Sequence, residues 1–74
     1  MSIVLEVRGE YIQLDQLLKT TGLCHSGGYA HSEIEAGNVQ VAGVVETRKR
    51  AKLRPGQKVS YGESVVALIK SAGD

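Results

Sequence analysis

Ile12-Gln13-Leu14-Asp15-Gln16-Leu17-Leu18-Lys19-Thr20-Thr21-Gly22 is the stretch from which the fold is read. Leu14, Leu17, Leu18 and Thr21 follow the i, i+3, i+4, i+7 spacing of one helix face. Asp15 suits the positive end of the helix dipole and Lys19 the negative end. Gly22 can take positive φ without a Cβ clash, which predicts the stop, and Leu23 would pack back on the helix. Ser26 then predicts the N-cap of a second helix, its hydroxyl accepting a bond from a first-turn amide. That helix runs to about Ala36, with Ala30, Ile34 and Tyr29 facing the core and Gly37 as its stop. The short spacer makes the pair a tight helical hairpin, and the small Ala30 lets the helices approach closely.

Outward from the hairpin the period changes. Residues 2–8 hold Ile3, Val4, Leu5 and Val7, bounded by Gly9, and read as a strand. After Gly37-Asn38 the period is two: Val39, Val41 and Val44 or Val45 alternate with Gln40 and Ala42 around Gly43, a short hairpin or bent strand. Residues 46–54 show no apolar periodicity and read as a basic connector. Pro55-Gly56 fits the centre of a type II turn. Strands are expected over 58–61 and 64–69 with a turn at Gly62-Glu63, and residues 71–74 are expected to fray. Pairing of 3–7 with 64–69 would close one small antiparallel sheet with the helical hairpin on one face. The expectation is an α+β fold forming a single domain over residues 1–74.

Composition excludes several classes. With 42% hydrophobic and 23% charged residues the chain is an ordinary folded one rather than a disordered one. No apolar run approaches the roughly 20 residues of a membrane span. Glu6, Arg8 and Glu10 spoil any secretory signal, so a cytoplasmic location is expected. One cysteine excludes an internal disulfide and any Cys-rich metal site. Cys24 and His25 are neighbours whose side chains project apart, and no motif places an Asn or Asp to orient the histidine. A metal site from Cys24, His25 and His31 is not expected, because residues 24 and 31 would be roughly 10 Å apart in a helix, too far to share an ion. Cys24 is expected to be a small buried apolar residue. No enzyme, metal or cofactor is expected.

Charge distribution points elsewhere. Residues 1–47 carry two basic residues and six acids, −4, whereas residues 48–74 carry seven basic residues and two acids, +5. Arg48, Lys49, Arg50, Lys52, Arg54 and Lys58 follow one another with no acid between. A polyanion would offset their mutual repulsion; a solvated loop or a guard at a sheet edge is the alternative. Gly27-Gly28 in a helical first turn costs up to about 1 kcal/mol per glycine relative to alanine. Bare amides for a phosphate, or close packing on the first helix, would each account for it. His31 lies one turn on, either beside phosphates or simply solvated. With no Phe or Trp and only Tyr11, Tyr29 and Tyr61, the chain lacks the aromatic stripe of single-strand binders. A basic surface without such platforms suits folded RNA read by shape and phosphates.

The ordered set Leu14-Asp15, Leu18-Lys19, Gly22, Ser26, Ala30, Ile34, Gly37, Val39-Gln40-Val41-Ala42-Gly43 and Pro55-Gly56-Gln57 resembles the RNA-binding domain of ribosomal protein S-four. That αL motif also occurs in pseudouridine synthases, bacterial tyrosyl-tRNA synthetases and a ribosome-associated heat-shock protein. The resemblance covers about residues 11–61. Gly43-Val44-Val45-Glu46-Thr47-Arg48-Lys49-Arg50 and the single-domain length are similar to the small free-standing bacterial proteins called YbcJ-like. The resemblance implies binding to structured RNA, ribosomal or transfer RNA being the classes it points to, and no catalysis. A monomer with no membrane partner is expected. Family members often carry Arg or Lys at the helix starts, where this chain has Gln13, Gly27 and His31, and an Asn or Asp where it has Ala42. The expected interface is therefore Arg48, Lys49, Arg50, Lys52, Arg54 and Lys58 on phosphates, with Ser26, Gly27, Gly28 and His31 as a neighbouring helix start and Lys19 beside it. The rivals are an adaptor docking an acidic protein through the same basic face, and a binder of double-stranded DNA.

Overall fold

The computed structural model describes residues 1–72. Its elements in chain order are β1 (Ser2–Val7), β2 (Ile12–Gln13), α1 (Leu14–Thr20), α2 (Gly27–Glu35), β3 (Val39–Val41), β4 (Val44–Val45), β5 (Lys52–Leu53), β6 (Lys58–Tyr61) and β7 (Ser64–Lys70). The α+β class and the helical hairpin are as expected. Leu14, Leu17 and Leu18 are fully buried on α1, and Ala30 and Ile34 on α2. Tyr29 instead faces outward. Ser26 caps α2 by accepting the Tyr29 amide at 3.1 Å. Gly22 and Gly37 end the two helices at φ +79° and +83°. Seven residues of α1 could not hold a helix in water, where about 12–15 are needed, so packing of its leucine face stabilises it.

Five strands form one sheet in the order β1-β7-β6-β3-β4. Its inner face packs Val7, Val39, Val59, Val66 and Leu68 against the helices in one core cluster, with Leu23 partly buried at its margin. The opposite face leaves Val4, Val65 and Ile69 exposed. Residues 3–7 do pair with the C-terminal strand, but in parallel: Ser2 lies opposite Val65 and Val7 opposite Lys70. The expected antiparallel closure is thus corrected. The tight β6–β7 turn fixes those two strands antiparallel. No turn joins β1 to β7, and the chain between them is long enough for a parallel crossover.

A second correction concerns the basic connector. Residues 52–53 are a strand, antiparallel to β2, with Ile12 opposite Leu53 and Gln13 opposite Lys52. There are therefore two sheets, not one. Ala51 and Leu53 are buried in the core. The alternation Arg50-Ala51-Lys52-Leu53-Arg54 is the period-two signal that marks this strand, hidden by its cations. The tail is also better held than expected. The Ser71 amide donates to the Val7 carbonyl at 3.2 Å and the residue is buried, while residues 73 and 74 lie outside the described residues. Among the described residues no helix is long and apolar enough to cross a membrane.

Candidate nucleic-acid interface

The start of α1 builds the site. Gln13 is its N-cap residue and offers no side-chain bond to the exposed amides. Carbonyls of the basic segment serve instead: Ala51 accepts the Leu14 amide at 2.9 Å and Lys49 accepts the Asp15 amide at 3.0 Å. These two bonds, the β2–β5 pairs and the buried Ala51 and Leu53 fasten residues 49–53 to the hairpin. Arg50, Lys52 and Arg54 are left exposed. Arg48, Arg50 and Lys52 surround a surface depression floored by Ala51.

The cations are not equivalent. Arg48 is committed to Glu46: Nε donates to Oε2 at 3.1 Å, Nη2 to Oε1 at 3.0 Å, and the Arg48 amide to Oε2 at 3.0 Å. These bonds hold the Glu46 carboxyl below its usual range and push the Arg48 guanidinium up. Lys49 approaches Glu35 at 3.8 Å, too far for a hydrogen bond. Lys52 sits over the Tyr11 ring, 5.0 Å from its centroid. No salt bridge is found for Arg50, Arg54, Lys58 or Lys19 among the described residues. Pro55-Gly56 turns the chain beyond the segment, with Gly56 at φ +98° as a type II turn demands.

The end of α2, at Glu35, borders this surface through Lys49, and its start lies at the other end of α1, beside Lys19. Lys19 runs past Gly27, where an added Cβ would lie 3.7 Å from its Cδ, while Gly28 faces open space. Neither glycine is demanded by close helix packing, which leaves that explanation without support at Gly28. The Ser26 hydroxyl and carbonyl take the Tyr29 and Ala30 amides, so the Gly27 and Gly28 amides stay outside both bonds. His31 is neither free nor simply solvated. Its Nε2 lies 2.8 Å from Asp15 Oδ2, with side chains 29% and 16% exposed, and it ties α2 to α1. Gly27, His31 and Glu35, spaced by four, thus meet Lys19, Asp15 and Lys49 in turn along one seam.

Away from this seam, Glu33 accepts the Tyr61 hydroxyl at 2.5 Å and the Asn38 amide at 3.2 Å. These donors, Tyr61 first, hold its carboxyl below the usual range. The same bond raises the Tyr61 phenol well above its ordinary value. Cys24 is buried, and burial pushes its thiol up, away from the reactive thiolate. Among the described residues no cluster of His, Cys, Asp and Glu could hold a metal.

The model of the family described as the S4 domain matches residues 5–69. The chain belongs to the S4 domain family. Among curated proteins, this S4 domain is 48% identical over 59 residues to the putative RNA-binding protein YbcJ of Escherichia coli strain K12, covering 80% of this chain and 84% of that one. The uncharacterized protein YbcJ of Shigella flexneri matches with the same identity and coverage. The solution structure of YbcJ from E. coli, described as revealing an αL motif involved in RNA binding, superposes with a TM-score of 0.66 at 38% identity. The superposition covers 92% of this chain and 85% of that structure. The S4 domain here accordingly has the αL fold, with the basic segment seated on the start of α1.

Proposed function

We propose that this S4 domain binds structured RNA through Arg50, Lys52, Arg54 and Lys58, with Lys49 beside them and with Lys19 and the Ser26-Gly27-Gly28 helix start at the other end of the α1–α2 seam. The observation that carries the reading is the docking of the basic segment onto α1 by two backbone bonds and two buried side chains. A solubilising loop needs no such anchoring, whereas fixed cations lose little freedom when they meet phosphates. Membership of the S4 domain family and the RNA-binding description of the YbcJ relative support it. Arg48 and His31 serve this surface by shaping it, since each already has an acidic partner. Ribosomal and transfer RNA are the ligands to try first. A monomer acting in the cytoplasm, with no catalytic step, completes the reading.

The test is an NMR titration of the protein with an RNA hairpin and a DNA duplex of matched length at two salt concentrations. Amide shifts at residues 19, 26–28 and 49–58 that favour the RNA and fade with salt support the proposal. Equal response to the duplex transfers the surface to DNA. No shift with either, even at low salt, overturns the reading and leaves an acidic protein as the partner to seek.

A further inference from the structure

The β2–β5 pair has two faces. Ile12 and Leu53 point into the core, while Gln13 and Lys52, directly opposite each other, point out. By the same alternation Tyr11 and Arg54, each one residue beyond its strand, belong to the outward side, and both are exposed. Lys52 confirms the placement by lying over the Tyr11 ring. Lys52 thus links the ring to the depression that it lines with Arg48 and Arg50.

The other two tyrosines are engaged differently. Tyr61 donates its hydroxyl to Glu33, and Tyr29 stacks on His25 with ring centroids 4.8 Å apart. Tyr11 alone among the three meets a cation of the basic segment. An aromatic ring next to cations and a concavity is the combination that takes a single base and its phosphate together. A base within a perfect duplex is stacked on its neighbours and cannot reach such a ring; an extrahelical base can.

We propose that this outward face receives one unpaired nucleotide of the bound RNA, its phosphate on Arg50 and Lys52 and its base stacked on Tyr11. In the free protein the Lys52 ammonium covers the ring. On binding it moves to the phosphate, and the ring face it leaves takes the base. The sequence offers no stripe of stacking residues, and one platform suffices to distinguish a bulged helix from a perfect one. The proposal rests on the RNA-binding reading above and adds to it a preference for a particular RNA feature.

The test uses two RNA hairpins closed by the same four-nucleotide loop, whose bases are stacked and hydrogen-bonded among themselves; they differ by one extrahelical nucleotide in the stem, a fluorescent adenine analogue whose emission falls on stacking. The bulged hairpin is expected to bind more tightly than the perfect one, with quenching of the analogue. Tyr11→Leu should weaken the bulged complex roughly five- to a hundredfold, from the ordinary worth of one stacked base, and leave the perfect hairpin unaffected. Tyr11→Phe should behave as the parent. Equal binding of both hairpins by the parent protein, without quenching, overturns the nucleotide receptor while RNA binding stands. Binding of neither hairpin overturns both.

Discussion

Arg48 and Arg50 are two residues apart, and their replacement by alanine should have different consequences. Five cations of the proposed interface, Lys19, Arg50, Lys52, Arg54 and Lys58, have no salt bridge among the described residues. If four or five of them meet phosphates, a slope of about 0.7–0.9 per contact gives a log–log salt dependence of roughly −3 to −4.5. A fourfold rise in salt then weakens binding roughly 60- to 500-fold. Arg50→Ala removes one contact and should flatten the slope by about 0.7–0.9. Arg48 makes both of its side-chain bonds to Glu46 and contributes little to the slope. Arg48→Ala should lower affinity by loosening residues 46–48, with the slope changed by less than about 0.3. Glu46→Gln gives the opposite sign: it neutralises the acid, releases Arg48 and should steepen the slope by up to one contact's worth. Filter binding to one RNA hairpin across a salt series reads all three. If Arg48→Ala flattens the slope as much as Arg50→Ala, Glu46 does not hold Arg48 away from phosphate and the reasoning is refuted.

Other consequences are cheaper to check. Ala42 has φ +52° and is followed by Gly43 at +81°, a turn that favours Asn-Gly. Ala42→Asn should therefore stabilise by about 0.5–1 kcal/mol, seen as a higher denaturation midpoint at unchanged m-value. Leu53→Ala, at a side chain only 2% exposed, should cost about 2–5 kcal/mol and lower the midpoint correspondingly. The Glu33 carboxyl is depressed chiefly by Tyr61, so its contribution is present above the ordinary value of 4.5 and lost as pH falls through the folded value. Tyr61→Phe should thus reduce the fall in stability on the acid side of 4.5, and an unchanged acid limb in urea titrations would contradict the linkage.

The helical hairpin was legible because its information is local. Apolar spacing at Leu14, Leu17 and Leu18, a serine cap and two terminal glycines each act within a turn or two of chain. The direction of β1 against β7 was not, since a period-two strand looks the same whichever way its neighbour runs. Strand β5 was missed because only Ala51 and Leu53 report burial, and four cations around them read as a loop. The site divides in the same way. The distribution of charge along the chain located the basic segment, yet the partners of its members depend on contacts. His31 finds Asp15 sixteen positions earlier, and Lys52 finds Tyr11 only because two short strands pair.

The parallel pairing of β1 with β7 carries a kinetic consequence. The Met1 ammonium and the Glu63 carbonyl meet across 62 positions of chain. Closing a loop of that size costs about 2–3 kcal/mol more entropy than closing a tight turn. The strand that is synthesised first is thus placed to zip into the sheet last. Hydrogen exchange should show its amides opening at lower free energy than those of β6. Each such opening bares the edge of β7, with Val65, Ala67 and Ile69 along its outer face, as a template for a neighbouring chain.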